Sequence, residues 1–260
     1  MRKIIITVFL ILSVISLCNH NVFAQGQSYG WYCVRNKDHL QPRLDSQISF
    51  IEEYNGYYVD RRHNDTSKDK VIYLTFDAGY ENGNVEMILD ALREENVPAA
   101  FFVLENLVTK NPDLILRMVN EGHLVCNHTA KHPDVTKFTR IEEFKAELER
   151  LENAYKSITG QEMKKYFRPP EGKFSMQSMK FASELGYKTI FWSFAYADWD
   201  NNSQPSVESA KAKIFDNVHN GEIMLLHPTS KTNATIMKDV IRQLKTEGYR
   251  FGTLDELTAQ

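Results

Sequence analysis

Short runs of β-forming residues alternate with stretches of helical pattern from about residue 71 to the end of the chain. A strand followed by a helix and then by another strand is the signature of a parallel sheet. The runs that we interpret as strands are residues 71–76, 99–103, 123–127, 165–167, 188–194, 222–226 and 249–254. Seven such strands without a long break in composition predict an α/β chain with a single distorted (β/α) barrel; a doubly wound open sheet is the alternative.

Signals for the start and end of helices fill the gaps between the predicted strands. Thr139 and Glu142 have the spacing of a capping box, ahead of a long amphipathic run that stops at Gly160. Ser175 and Gly186 bracket a further helix in the same way. These helices would separate consecutive strands, as a barrel of parallel strands requires.

Composition divides the chain into three parts. Residues 1–24 begin with Arg2 and Lys3 and continue with an apolar stretch of 14 residues, shorter than the roughly 20 that span a bilayer. They predict a secretory signal peptide, and no stable membrane anchor is expected. Residues 25–70 are rich in aromatic side chains and lack the alternation, so we interpret them as an N-terminal extension packed on the barrel, with glycan stacking as a second role. Residues 71–260 are the predicted catalytic domain.

The charge of the chain excludes one class of function. The formal net charge is −3, and loss of Arg2 and Lys3 with the signal peptide makes it −5. Nucleic-acid binding requires a basic stripe, which the sequence lacks. A glycan on the Asn127 sequon would block His128 and His132 beside it. We therefore expect unused sequons and an exported bacterial protein.

Short polar clusters follow the predicted strands, at the ends where barrel enzymes collect their catalytic groups. A lone His or Asp at a strand end is usually a solvated loop residue, but several in register with the strands predict an active site. The clusters are Asp77 in TFDAGYENG, His128 and His132 in NHTAKH, Arg168 in RPPEG, the pair Asp198 and Trp199, and His227 in LLH.

His128 and His132 are four residues apart, so one helical turn would place both imidazoles on the same face. That arrangement suits a divalent metal, although histidines at this spacing are also found on surfaces and at helix caps. Asp77 precedes Gly79, which allows a tight turn with room for a ligand. The alternative for Asp77 is an ordinary turn residue.

Two charge pairs are expected from the remaining clusters. Arg168 beside Asp77 would lower the pKa of the carboxyl group and keep it ionised. Asp198 beside His227 would hold an imidazolium, whose proton could be donated to a leaving amine.

The order TFDxG, HxxxH, RPPxG, DW and LxH, over residues 71 to about 257, resembles the polysaccharide deacetylase family. This family is also called the NodB-homology family or carbohydrate esterase family 4, and its fold is a distorted (β/α) barrel. The segments TFDAGYENG, YGWYCVRNKDHLQP and FWSFAYADW are similar to its muramic δ-lactam branch, the peptidoglycan N-acetylmuramic acid deacetylases of the spore cortex.

The resemblance implies a role for each charged cluster. Asp77 would be the general base, with Arg168 as the partner that tunes it. His227 would be the general acid, and Asp198 its partner. A metal-bound water, deprotonated by Asp77, would attack the acetamide carbonyl, and His227 would protonate the departing amine.

The resemblance also implies a divalent metal held by His128 and His132, with zinc expected and magnesium, manganese or cobalt as alternatives. Most family members carry a second Asp after the base as a third ligand, and this chain has Ala78 there. We therefore expect the ion to be weakly held.

The substrate contacts implied by the resemblance lie on two of the predicted loops. Trp199 and Leu225 would form the acetyl pocket, although core packing is the alternative for both. A backbone N–H near Glu171 would hold the oxyanion, and Gly172 and Lys173 would meet the sugar. Because the chain is acidic, Lys173 or Arg168 is expected to recognise the lactyl carboxylate of muramic acid.

The leading hypothesis is therefore de-N-acetylation of N-acetylmuramic acid in peptidoglycan, leading to muramic δ-lactam. The expected partners are peptidoglycan glycan strands from which an amidase has removed the peptides, and the protein is expected to be a monomer. One alternative substrate is a polymer of N-acetylglucosamine, such as chitin. A catalytically silent glycan-binding protein is the other alternative, because Ala78 removes a metal ligand.

Overall fold

The structure is a computed structural model that describes residues 26–35 and 37–259. The predicted signal peptide, residues 1–24, lies outside this described part. No helix within the described ranges is long and apolar enough to cross a membrane.

Strands and helices alternate from β3 onward, as the sequence predicts. The strands are β1 (Ser28–Gly30), β2 (Gly56–Tyr57), β3 (Lys70–Ala78), β4 (Ala100–Val103), β5 (Leu124–Asn127), β6 (Tyr166–Phe167), β7 (Lys173–Ser175), β8 (Lys188–Ile190), β9 (Glu222–Leu226) and β10 (Tyr249–Phe251). The α-helices are α1 (Asn84–Glu95), α2 (Glu105–Lys110), α3 (Pro112–Asn120), α4 (Ile141–Thr159), α5 (Met176–Glu184), α6 (Val207–Phe215), α7 (Lys231–Thr246) and α8 (Leu254–Leu257). Short 3-10 helices cover Ser46–Tyr54, Val135–Lys137 and Pro170–Gly172.

The main sheet is parallel and curls towards closure. Its hydrogen-bonded order runs β10, β3, β4, β5, β6, β8, β2. Strand β9 also pairs with β3, along the edge opposite β4. Beyond β8, Phe194 forms a parallel bridge with Met224 of β9, and the Leu225 N–H donates to the Phe194 carbonyl at 2.9 Å. The two sides of the sheet thus approach each other, which confirms the predicted distorted barrel.

Two predicted strands end earlier than expected. The run 188–194 pairs regularly only as far as Ile190, and the chain then touches β9 through the single bridge at Phe194. The run 249–254 ends at Phe251, because the Thr253 side chain accepts a hydrogen bond from the Glu256 N–H and starts α8.

The predicted helix ends are confirmed except at one cap. Helix α4 ends at Gly160, which is left-handed with φ 70°, and Ser175 caps α5. The capping box at Thr139 and Glu142 is not formed, because α4 begins at Ile141, one residue later than that box requires. The residue at the N-cap is Arg140, whose side chain makes no capping hydrogen bond.

The N-terminal extension is built into the barrel wall, which goes beyond the predicted packing against it. Strand β2 pairs in parallel with β8 and forms an edge of the main sheet, and β1 pairs antiparallel with β7. Trp31 is buried and stacks on Phe191 with ring centroids 4.5 Å apart. The aromatic residues of the extension thus form a core of their own against the barrel.

Alternation along β3 decides what reaches the barrel interior. Val71 and Tyr73 belong to the core inside the barrel, whereas Ile72, Leu74 and Phe76 pack against the helices. Side chains two residues apart on a strand face the same side. Thr75 and Asp77 continue the inward series, so the carboxylate arrives inside the barrel at the carboxyl end of the strand.

Candidate active site

Arg168 fixes Asp77 at the carboxyl end of the barrel. The guanidinium is fully buried, and its Nη1 donates to Asp77 Oδ1 at 2.7 Å. Three more of its five N–H groups donate to the Thr75 hydroxyl at 2.9 Å, the Ile190 carbonyl at 2.9 Å and the Phe191 carbonyl at 3.2 Å. Because each of the three nitrogens is hydrogen-bonded, the orientation of the guanidinium is fixed.

The charge of Arg168 also governs the ionisation of Asp77. Burial acts to raise the pKa of this carboxyl group, but the charge and hydrogen bond of Arg168, together with the charges of His128 and His227, outweigh burial and hold the pKa below its ordinary value. Asp77 is therefore a carboxylate at neutral pH. Its second oxygen, Oδ2, is not used by Arg168 and lies 3.6 Å from His128 Nε2.

A loop, and not the predicted helical turn, brings His128 and His132 together. His128 follows β5 directly, and two residues of the loop, Thr129 and His132, are left-handed with φ 72° and 59°. The Thr129 hydroxyl accepts from the His132 N–H at 2.9 Å, and the Asn127 side chain accepts from the Thr129 N–H at 2.8 Å. The two imidazole centroids are 5.1 Å apart.

The donor set around His128 fits a divalent cation. Its Nδ1 lies 2.9 Å from the Arg168 carbonyl, which can only accept, so the lone pair of the neutral ring is on Nε2. Burial lowers the pKa of His128 to about 4, which keeps the ring neutral. Ala78 is a fully buried methyl group, and residues 26–35 and 37–259 contain no cluster of three or more His, Cys, Asp or Glu that could hold a metal. His128 and His132 are therefore the two imidazoles that this site offers to an ion.

Asp198 and His227 form the second charge pair. His227 Nδ1 donates to Asp198 Oδ1 at 2.7 Å, and the His227 backbone N–H donates to Oδ2 at 2.9 Å. Burial acts to lower the pKa of His227, but the hydrogen bond and the charge of buried Asp198 outweigh it, and the pKa is raised. The free nitrogen of His227 is Nε2.

Asn233 supports this pair and was missed by the sequence analysis. Its fully buried amide donates to Asp198 Oδ2 at 2.6 Å and to the His227 carbonyl at 3.1 Å, and its oxygen accepts from the Tyr196 hydroxyl. It lies in the first turn of α7, behind the Ser230 cap. No motif around Asn233 indicates this role, because the partners come from distant parts of the chain.

Asp77, His128, His132 and His227 line one cavity of about 610 Å³. Leu225 is buried on its wall, whereas Trp199 is 60% exposed at its rim, with its ring centroid 6.1 Å from that of His227. Core packing therefore accounts for the burial of Leu225, but it does not account for the position of the exposed Trp199. The lining residues that the sequence analysis did not select are Gly79, Tyr80, Trp192, Ala195, Tyr196 and Thr229.

The loop after β6 contributes Glu171 and Gly172 to the cavity, both left-handed with φ 55° and 65°. A Cβ on Gly172 would lie 2.7 Å from the Trp192 ring, so only glycine fits. Lys173 does not line the cavity, and its ammonium pairs with Glu171 at 2.6 Å. Arg168 is fully buried and Lys173 lies outside the cavity lining, so recognition of a lactyl carboxylate by either of them stays a prediction.

A curled parallel barrel with an arginine-paired carboxylate, a carboxylate-paired imidazole and two further imidazoles around one cavity is an arrangement typical of a barrel hydrolase. Comparison with known proteins identifies the family. The polysaccharide deacetylase family model matches residues 64–190, which include Asp77, His128, His132 and Arg168.

Similar proteins cover most of the chain. It is 40% identical over 228 residues to the Bacillus subtilis peptidoglycan-N-acetylmuramic acid deacetylase PdaA, spanning 87% of this chain and 84% of that protein. A solved structure of B. subtilis PdaA, described as a family 4 carbohydrate esterase, superposes with a TM-score of 0.83 at 39% identity, over 89% of this chain and 97% of that one. A Bacillus cereus peptidoglycan-N-acetylglucosamine deacetylase is 34% identical over 202 residues, spanning 74% of this chain and 89% of that protein.

The chain belongs to the polysaccharide deacetylase family, and it is a hydrolase of N-acetyl amide bonds.

Proposed function

We propose that the protein removes the acetyl group from N-acetylmuramic acid in peptidoglycan glycan strands. The observation that carries this proposal is the meeting of the Asp77–Arg168 and Asp198–His227 pairs in one cavity beside His128. One pair supplies a carboxylate and the other an imidazolium, as hydrolysis of an amide requires.

Asp77 is the proposed base. Oδ1 is held by Arg168, which leaves Oδ2 to accept a proton from the attacking water. Oδ2 lies 3.6 Å from His128 Nε2, so a water beside the imidazole would also be within reach of this base. A divalent ion held by His128 and His132 would supply Lewis-acid polarisation of the acetamide carbonyl. Family deacetylases are generally metal-dependent, and zinc is the proposed ion here.

His227 is the proposed acid. Asp198 accepts from Nδ1, which leaves the proton on Nε2 for the departing amine. The raised pKa of His227 favours the protonated ring that this role needs. Proton transfer by a positioned side chain of this kind contributes about 10²–10⁴-fold to a rate.

The walls of the cavity suit an acetamido sugar. Leu225 and Trp199 provide an apolar pocket for the methyl group, and the loop at Glu171 and Gly172 lines the same cavity, with the Gly172 N–H donated to the Pro169 carbonyl at 3.0 Å. We assign the oxyanion to a backbone N–H of this loop.

Muramic acid is favoured as the substrate because the similarity to the B. subtilis N-acetylmuramic acid deacetylase spans 87% of this chain. The freed amine would then close onto the lactyl carboxylate as the δ-lactam of spore cortex. We further propose an exported, monomeric bacterial enzyme that acts after an amidase has removed the peptides.

The second candidate function is deacetylation of N-acetylglucosamine in peptidoglycan or chitin-type polymers. It is supported by the B. cereus relative, at 34% identity over 202 residues. A silent glycan-binding protein is disfavoured, because a binder has no need for two charge-paired acid and base groups.

Mass spectrometry of glycan strands after incubation with the protein tests the proposal. Amidase-treated peptidoglycan should lose acetyl from muramic acid, and further loss of water would report lactam closure. Rates on N-acetylglucosamine oligomers that match those on peptide-free muramic strands would support the second candidate instead. Absence of acetate release from both polymers, with zinc present, would contradict both.

A further inference from the structure

We propose that the N-terminal extension carries a second glycan subsite, for the part of a carboxylate-bearing strand that extends beyond the catalytic cavity. The site is a concavity of about 460 Å³, lined by residues 29–34, 42–45, 47, 48 and 58 and called here the N-terminal groove. The inference rests on the proposed function, since the occupant is the polymer on which the enzyme acts.

The N-terminal groove adjoins the catalytic cavity across the ribbon of β1 and β7. Gly172 lines the cavity, and its carbonyl accepts from the backbone N–H of Trp31, which lines the groove, at 2.8 Å. Gly30, also in the groove, pairs with Lys173 in the ribbon of β1 and β7. One two-stranded ribbon therefore separates the two concavities, and a strand too long for the cavity would cross it into the groove.

The side chains of the groove suit a sugar. Its floor includes Trp31 and Tyr58, which are buried and lie 5.4 Å apart between ring centroids. Tyr32 lines the same groove and is 71% exposed. A tyrosine ring offers an apolar face for the C–H groups of a sugar and a hydroxyl for hydrogen bonding. A single exposed aromatic residue is ordinary, but Tyr32 forms the rim of a formed concavity.

Charge indicates which kind of glycan is held. Arg168 and Lys173 are already paired with the carboxylates of Asp77 and Glu171. Arg43 is exposed in the groove, and its guanidinium has no hydrogen-bond or ion-pair partner within residues 26–35 and 37–259. Asp45, also in the groove, accepts from the Gln47 N–H at 2.9 Å. A guanidinium binds a carboxylate through two parallel hydrogen bonds, so Arg43 would select the lactyl group of a muramic residue.

The test compares strand lengths. Wild type, Tyr32→Ala and Arg43→Ala would be given peptide-free peptidoglycan strands ranging from one disaccharide to many. Acetate release would yield kcat and KM, and calorimetry would measure binding without turnover. Controls are Tyr32→Phe, which keeps the ring, and Arg242→Ala, which removes an exposed arginine that pairs with Glu95 on another face.

We expect Tyr32→Ala and Arg43→Ala each to weaken binding of long strands and to raise their KM by roughly tenfold, about what loss of one good contact costs. The kcat on the single disaccharide should not change. Arg43→Ala should have no effect on chitin oligomers, which lack carboxylates, whereas Tyr32→Ala should weaken both polymers.

Three results separate this inference from the proposed function. If long strands bind the variants as tightly as they bind wild type, the groove is not a glycan subsite, and the proposed deacetylase activity is unaffected. An equal loss on the single disaccharide would also overturn it, because the proposed groove holds only the part of a strand that extends beyond the catalytic cavity. Groove-dependent binding of strands without any acetate release would support the subsite and contradict the proposed function.

Discussion

Asp77 and His227 are the two side chains that the proposed reaction asks to move a proton. We expect Asp77→Asn and His227→Ala each to lower kcat by about 100-fold or more, since each removes one proton-transfer step. Acetate release under saturating substrate measures this. Circular dichroism would confirm folding, and a folded variant with near-normal turnover would remove that residue from its role.

The pH dependence of turnover follows from the two pKa shifts. Asp77 must be ionised, and its lowered pKa places the acid limb below the ordinary range of aspartate. His227 must be protonated, and its raised pKa places the alkaline limb above the ordinary value of 6.5. The rate should thus be bell-shaped with a broad top. In Asp198→Asn the alkaline limb should move to lower pH, and an unmoved limb would contradict the pairing.

Sequence reasoning located the charged residues of the site but not all of their supports. Asp77 lies at the carboxyl end of β3, and Arg168 and His227 directly follow β6 and β9, so their convergence was predictable from the parallel topology. Asp198 lies on the loop after β8. Asn233 was not predictable, because its partners lie on the loops after β8 and β9. Lys173 was selected for its charge, and the structure shows that charge engaged with the neighbouring Glu171.

At the level of elements, the loop after β5 shows how far sequence spacing can be read. The four-residue spacing of His128 and His132 indicated two neighbouring imidazoles, which is what the structure shows. The helical turn inferred from it was wrong, because Asn127 and Thr129 bond to the loop backbone and hold it left-handed. Side chains that compete with backbone hydrogen bonds are a known limit on helix prediction.

The loop after β6 gives a test at the same scale. Gly172→Ala should reduce stability by about 1–3 kcal/mol more than Gly160→Ala, because only the former places a methyl group against Trp192. The two glycines are matched in backbone, with φ 65° and 70°, and a Cβ at Gly160 meets nothing within 4 Å. Urea unfolding measures the difference. Equal losses would show that Trp192 moves aside freely.

On the scale of the whole molecule, the barrel was the most predictable feature, since alternation of strands and helices leaves few arrangements for a parallel sheet. The contribution of a strand from the N-terminal extension to the main sheet was not predictable. Strand β2 is only two residues long, and its pairing with β8 depends on contacts distant in sequence.

Activity of the whole enzyme should depend on added metal. With His128 and His132 as the two imidazole ligands, chelator should abolish acetate release, and zinc should restore it only at concentrations above those for a three-ligand site. Titration of the dialysed protein with zinc, followed by calorimetry, measures the affinity directly. Full activity with no metal detected by elemental analysis would refute metal assistance.

Stability at low pH should depend on Asp60, which is buried at the amino end of the barrel. Burial opposes its ionisation, but hydrogen bonds from Arg62, Tyr73 and His63 outweigh burial and lower its pKa from 3.8 to about 2. A lowered folded-state pKa stabilises the protein above pH 3.8, and this contribution is lost as pH falls towards 2. The gap in unfolding free energy between wild type and Asp60→Asn should therefore narrow across that range. A gap that stays constant would contradict the assignment.

Asp60 also limits how far the chain can be shortened from its amino end. Arg62, held by Asp60, also donates to the carbonyls of Glu256, Leu257 and Ala259, so it fastens the extension to the last helix. A recombinant fragment trimmed to the family boundary at residue 64 would lose this fastening along with β2, and β8 would be left as an open edge. The folded unit thus extends beyond the residues that the family model matches. We expect a fragment trimmed to those residues to aggregate.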